Sequence, residues 1–103
     1  MKQQQQPSTS RAEPGHDEAH SRYELRLDGR VVALAQYHRE GDRVVFTHTE
    51  VDAAHEGQGL GSQLAAHALD DVRRRGLKAV PRCDFIAGYL ARHEQEYGDL
   101  VDR

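Results

Sequence analysis

Apolar and polar residues alternate from Tyr23 onward, with Tyr23, Leu25 and Leu27 set against Glu24 and Arg26. A period of two predicts a half-buried strand. Asp28-Gly29 follows, a strong hairpin signal. The β-branched run "RVVALAQYH" then predicts a second strand. "EGD" at 40–42 makes the next turn, and "RVVFTHTEV" predicts a third strand. Strict alternation puts Val45, Thr47, Thr49 and Val51 on one face of it, and Val44, Phe46, His48 and Glu50 on the other. Three strands joined by short turns form an antiparallel meander.

The period then changes. Leu60, Leu64, Ala68 and Val72 recur at helical spacing, and Ala65 and Leu69 widen the stripe. Arg73, Arg74 and Arg75 sit in the last turn, where cations suit the negative end of a helix. Gly76 is a good residue to close it. "LKAV" at 77–80 predicts a short strand stopped by Pro81, and "CDFIAGYLARHEQEY" a second helix. The order is β-β-β-α-β-α, an α+β arrangement of a meander, a β-α-β crossover and a C-terminal helix. A right-handed crossover would make the third and fourth strands parallel.

Residues 1–21 fall outside this pattern. Their only apolar side chains are Met1, Ala12 and Ala19 among Gln, Ser, Pro and Glu. Such a segment buries too little surface to offset its ordering entropy, and the reading is a disordered tail. It has no apolar stretch of the kind a signal peptide carries. The folded domain is then 22–103.

Composition narrows the function. The net charge is -3, with no basic stripe and interleaved aromatics, so nucleic acid is not the expected partner. No apolar run approaches the roughly 18 residues of a membrane span. A single cysteine, Cys83, rules out an internal disulfide framework and points to a reducing, cytoplasmic setting. Seven histidines raise the question of a metal, but no HExxH or CxxC pattern is present and no metal site is expected. His16 and His20 belong to the tail, and His38, His55, His67 and His93 read as surface residues. The short chain fits a monomer or a weak dimer formed through an exposed edge strand.

The segment "EGQGLGSQ" at 56–63 carries the chemistry. Its three glycines stand where the first helix begins. Helix starts expose unpaired N–H groups and partial positive charge, a natural site for phosphate. Glycine lets a ligand approach the backbone there with no Cβ in the way. Neither the P-loop pattern nor the dinucleotide fingerprint fits, since no lysine is present and the spacing is GxGxG. A tight strand-to-helix turn with no ligand is the competing reading.

At this point the segment "HTEVDAAHEGQGLGSQLAAHALDDVRRRGLKAVPRCDFIAGYLARHEQEYGDLV" resembles the small single-domain branch of the GNAT acetyltransferase superfamily. The likeness runs from about Tyr23 to Val101. It rests on "HTEV" at 48–51, the glycine run, "PRC" at 81–83 and the closing "HEQEYGDLV". In that family [QR]xxGxG[AG] binds the pyrophosphate of acetyl-CoA at the start of a helix. Here the match is Glu56-Gly57-Gln58-Gly59-Leu60-Gly61, with Glu56 in place of Gln or Arg. The resemblance implies a truncated GNAT-like fold and acetyl-CoA as acetyl donor. It implies a cofactor site at Val51, Gly57, Gln58, Gly59, Leu60, Gly61 and Ser62. It also implies a gap near Glu50 and Val51, where the third strand would splay from the fourth and pantetheine would lie. The acceptor would be an amine, on a small molecule or a protein.

Acetyl transfer needs a deprotonated amine and an acid for the leaving thiolate. Cys83 would stand at a helix start, which lowers a thiol's pKa. It could be acetylated itself or protonate the thiolate; a small buried hydrophobe is the bland alternative. His48 and Glu50 share a strand face and are candidate bases. Tyr89 falls broadly where many GNAT enzymes carry a tyrosine acid, though packing with Phe85 and Ile86 is the better account of it. Asp84 reads as a cap of the second helix. The resulting expectation is an acetyl-CoA-dependent N-acetyltransferase. The alternatives are a CoA-binding or acyl-CoA-binding module without turnover, and an interaction domain with an empty loop.

Overall fold

The computed structural model describes residues 12–102. Five strands form one sheet in the order β1-β2-β3-β4-β5. They are β1 Glu13–Asp17, β2 Arg22–Leu27, β3 Arg30–Glu40, β4 Arg43–Val51 and β5 Lys78–Pro81. Neighbours pair antiparallel except β4 and β5, which are parallel. Helix α1 (Leu60–Arg74) makes the crossover between them, and α2 (Asp84–Arg92) and α3 (Glu94–Tyr97) follow. The meander, crossover and C-terminal helix therefore stand as the sequence predicts, with one more strand at the N-terminal edge.

That strand corrects the reading of residues 1–21 as a tail. Residues 1–11 lie outside the described residues, but Glu13–Asp17 pairs along its whole length with Arg22–Arg26. Apolar burial does not hold it. Gln63, His67 and Asp71 of helix α1 and Arg75, the residue that caps its end, stand at i,i+4 spacing, so the four stack on one face. Gln63 donates to the Ala12 carbonyl at 3.5 Å, and His67 Nε2 donates to the Gly15 carbonyl at 3.1 Å. Asp71, only 5% exposed, accepts from the Tyr23 hydroxyl at 2.7 Å and from Arg75 Nε at 2.8 Å, and also from Arg74. Arg75 reaches on to Glu18 at 2.8 Å. His16 stacks on Tyr23 with ring centroids 4.2 Å apart. Its Nδ1 lies 3.2 Å from Arg75 Nη2, a group that can only donate, so Nδ1 accepts. The proton then sits on Nε2, which donates to the Tyr37 hydroxyl at 2.6 Å.

Under this clamp lies the core. Tyr23 and Leu25 of β2, Ala33 and Ala35 of β3 and Phe46 of β4 face Leu64, Ala65, Ala68 and Leu69 of α1. The small residues on both sides let helix and sheet approach closely. Gly76 N–H bonds to the Arg73 carbonyl and Leu77 N–H to the Val72 carbonyl, the bond pair that closes a helix and turns the chain into β5.

Two details differ from strict periodicity. Gln36 pairs with His48 and Tyr37 with Phe46, so Thr47 is an extra residue on β4, a β-bulge. The alternation reverses there. Before the bulge Val44 and Phe46 face the helices; after it Thr49 and Val51 do, and His48 and Glu50 face away. The single face expected for Val45 to Val51 is thereby split. The second helix is also divided. It breaks at His93 (φ −126°, ψ 40°), whose ring stacks on Tyr89 at 4.1 Å. The turn brings Tyr97 to α1, where its hydroxyl donates to Asp70 at 2.8 Å. At the end of the described chain Val101 bridges to Ala79 and covers the edge of β5.

The clamp makes stability depend on pH. Burial, and then the neighbouring Arg75 cation, hold the His16 pKa below its ordinary 6.5. The unfolded chain therefore takes up a proton that the folded chain resists, and stability rises with pH across this window. The contribution is complete above pH 6.5 and is lost as pH falls toward the depressed folded value. Thermal melts between about pH 7.5 and 5.5 are expected to fall more steeply for the native chain than for His16→Phe, which keeps the ring stack and cannot titrate. Parallel pH profiles would remove His16 from the account. Asp71→Asn is expected to lower stability by about 1–3 kcal/mol, because a buried multiple acceptor is replaced by a group that supplies one oxygen.

Candidate functional site

The site begins where β4 leaves β5. The two strands pair only over Arg43–Phe46 and Lys78–Pro81. The last ladder bond runs from Arg82 N–H to the Phe46 carbonyl at 2.9 Å. Beyond it, residues 47–51 of β4 have no β5 partner. The gap thus opens at the Thr47 bulge, a few residues before the Glu50–Val51 position implied by the resemblance.

One wall of the gap is the start of α2. Cys83 caps that helix, its Sγ accepting from Ile86 N–H at 3.4 Å. Asp84, expected as the cap, is instead the first helical residue. The same sulfur lies 3.0 Å from Thr49 Oγ1. A buried thiol thus spans the gap to β4, with a backbone N–H and a hydroxyl both within reach of its sulfur.

The other end of the gap is the loop from Asp52 to Gly59. Asp52 accepts from Ala54 N–H at 3.0 Å and starts a short turn over Ala53–His55. Gly57 and Gly59 then take φ of +86° and +78°, where a Cβ would be strained. Gly59 caps α1 and offers no side chain, so the N–H groups of Leu60, Gly61 and Ser62 have no partner within the helix. A Cβ built at Gly57 or Gly59 meets nothing within 4 Å. Open space therefore lies over these positions. A cleft of about 420 Å³ runs from this loop along Val51 and Thr49 to Phe85, with His55 and Glu56 also on its walls. His55 Nδ1 is buried and lacks a hydrogen-bond partner. Gln58, expected at the same site, lines a separate cleft with Leu27, Asp28, Arg30 and His55.

A second cleft of about 340 Å³ lies beside the first. Thr47, His48, Thr49, Arg82, Cys83, Asp84 and Phe85 line it. His48 Nε2 is 2.8 Å from Glu50 Oε2. A carboxylate only accepts, so Nε2 carries the proton and Nδ1 is left as a free acceptor. His48 and Cys83 share this cleft, whereas Glu50 reaches it only through His48. Thr49 and Phe85 line both clefts.

A family model of GCN5-related N-acetyl-transferases matches residues 22–100. The chain belongs to that family. Among its relatives are the proteins named NATD1 of Mus musculus, Gallus gallus and Homo sapiens. Each is 39% identical over 79 residues, which cover 73% of this chain and 70%, 70% and 68% of theirs. Two solved structures share the fold. A GCN5-like protein of Staphylococcus aureus, solved by NMR, has a TM-score of 0.64 at 21% identity and is matched over 91% of its length and 93% of this chain. The ribosomal-protein-S18-alanine N-acetyltransferase of Escherichia coli has a TM-score of 0.59 at 23% identity, over 73% of this chain. This chain spans only half of the E. coli enzyme's length.

Tyr89 packs against the neighbouring rings. It is buried, stacks on His93 and lies 6.1 Å from Tyr97; burial raises its pKa. His55 and His67 are half-buried and not simply on the surface. Sequence periodicity alone missed Thr49 as a wall of both clefts, because the bulge that turns it inward carries no residue-type signal.

Gly61 has a different task from the two glycines before it. A Cβ there would lie 2.5 Å from Phe85 Cζ and 3.0 Å from Cε1. Phe85 therefore seats its ring on α1 only because position 61 lacks a side chain. Gly61→Ala is expected to cost about 1–3 kcal/mol through overpacking, a fall of roughly 4–8 °C in Tm for each kcal/mol. In a Phe85→Leu background the penalty is expected to shrink. Additive losses in that double-mutant cycle would show the two residues to be independent.

Proposed function

We propose that the chain is an acetyl-CoA-dependent N-acetyltransferase. The observation that carries the reading is the meeting of the two clefts at Thr49, between unpaired helix N–H groups on one side and Cys83 with His48 on the other. The donor set at the loop fits a diphosphate. It supplies backbone N–H groups, a helix dipole and open space above Gly57 and Gly59. Val51, Leu60, Gly61 and Ser62 would line the bound cofactor. The β4 backbone from Thr47 to Val51, unpaired on its β5 side, would supply peptide groups for the pantetheine arm. Acetyl-CoA, when bound, brings the activated thioester.

The chain's own residues supply the proton chemistry. An amine in the second cleft attacks the thioester carbonyl; a C–N bond forms and the C–S bond breaks. The amine's proton passes to His48 Nδ1, directly or through one water, with Glu50 holding the imidazole in the right tautomer. The thiol of Cys83 gives its proton to the departing CoA thiolate, and Thr49 O–H and Ile86 N–H are the donors that steady the Cys83 thiolate left behind. The exposure of His48 and Glu50, 51% and 64%, favours a second reading, a CoA-binding module without turnover.

Acetyl-CoA at about 100 times its dissociation constant is expected to stabilise the chain by about 2.7 kcal/mol, a Tm rise on the order of 10 °C. Gly59→Glu is expected to abolish that rise. Glu56 stands on the wall of the same cleft, and Glu56→Gln is expected to tighten binding about threefold by removing a like charge from an exposed site. His48→Gln and Cys83→Ala are each expected to lower kcat about a hundredfold and leave the melt shift intact. A full melt shift with no acetylated amine from any acceptor leaves the module reading standing. No shift at millimolar ligand removes both.

A further inference from the structure

We infer that Phe85 sets the length of the acyl group that the site accepts, and that Gly61 holds Phe85 in place to do it. The inference rests on the CoA reading above and adds to it a limit on the donor.

A ligand anchored at the glycine loop lies along Val51 and Thr49. To reach an acceptor in the second cleft, its far end must stop where the clefts join. Among the described residues only Thr49 and Phe85 line both. Thr49 cannot turn away easily, because its hydroxyl is engaged with Cys83 Sγ at 3.0 Å. Phe85 is the larger of the two walls. Its ring is partly buried against the core, and its tip points at the first turn of α1.

Gly61 makes that wall rigid. The ring atoms Cζ, Cε1 and Cε2 lie 2.5, 3.0 and 3.3 Å from where a Cβ would be, so the ring fills the space of the missing side chain. Wedged there, the ring cannot swing toward α1 to make room. The far end of an acyl thioester therefore meets a fixed aromatic edge. An acetyl group ends before it. Each further methylene must push against the ring or turn out into the second cleft and displace the acceptor.

The test is a set of dissociation constants, measured by calorimetry for free CoA, acetyl-CoA, butyryl-CoA and hexanoyl-CoA. The native chain is expected to bind acetyl-CoA at least about tenfold more tightly than butyryl-CoA, the discrimination that a rigid pocket achieves against added methylenes. Phe85→Ala is expected to bring that ratio below about threefold while free CoA binds within about twofold of native. Phe85→Leu, which keeps an apolar side chain at the junction, is expected to fall between, and it carries the test if the alanine variant does not fold.

Free CoA separates the possible failures. A purely structural role for Phe85 would weaken all four ligands together and leave the ratio unchanged. An unchanged ratio with intact CoA binding overturns the role of Phe85 and spares the CoA reading. Absence of CoA binding by the native chain overturns that reading, and this inference with it.

Discussion

The contact between Thr49 Oγ1 and Cys83 Sγ, 3.0 Å long, bridges the two elements whose separation makes the site. On one side β4 has just passed its extra residue at Thr47 and, though still paired with β3, has no partner on its β5 side. On the other, the chain leaves its last ladder bond at Arg82 and one residue later caps a helix. Without the bulge, Thr49 would face away from the helices and the sulfur would have no neighbour on β4. Without the cap, β5 could run on beside β4 and fill the gap with ordinary ladder bonds. The opening is thus built by ending a parallel pair early, at a point where the backbone left unpaired is still useful to a ligand.

The rest of the fold holds the two sides of that gap at fixed positions. Helix α1 is the element that does so, since its first turn faces the gap and its last two turns are anchored elsewhere. Its apolar stripe packs on the sheet in the usual way. The polar stripe beside it holds the N-terminal edge of the sheet: Gln63 and His67 bond the Ala12 and Gly15 carbonyls, Asp71 accepts from Tyr23 of β2, and Arg75 reaches Glu18 and His16. Asp71 is the centre of that grip: a carboxylate at 5% exposure survives only because a tyrosine and two arginines meet it. Tyr23 can serve because burial pushes its pKa up to about 12, so it remains a donor at any ordinary pH.

This division explains what could be read from the sequence. Turns, strand types and the α1 stripe were legible because they depend on local period and on glycine at the turns. The glycine loop was legible as the break before α1, because Gly57 and Gly59 take φ of +86° and +78°, which favour glycine. The edge strand β1 was not, because its composition is that of a tail and its bonds are made by a helix some fifty positions later, as the separations of 51 and 52 residues for Gln63 and His67 attest. The spacing 63, 67, 71, 75 was present in the sequence, but polar residues at i,i+4 read as a solvated face until a partner is known. The Thr47 bulge was invisible for another reason. Threonine fits a regular strand as well as a bulge, and a single slip reverses every face after it. His48 and Glu50 were therefore found as candidates and set opposite Thr49, but which face turns to the helices was hidden, and Thr49 was not read as a site residue.

Those directions matter for how the candidate chemistry is arranged. After the bulge, Thr49 turns toward the helices with Cys83, while His48 and Glu50 turn outward. The groups proposed as proton acceptor and proton donor thus come from opposite faces of β4 and meet in the second cleft. Adjacent residues on a strand can do this only because the pleat alternates. A reacting carbon in the gap would have an amine delivered from the wet side and its leaving group held on the buried side. The wet side suits an imidazole that must exchange protons with solvent. The buried side suits a thiol that must protonate a sulfur only after the bond to it breaks. Phe85 lines the second cleft together with His48 and Cys83 and continues into the first, and its ring sits beside α1 where position 61 has no side chain.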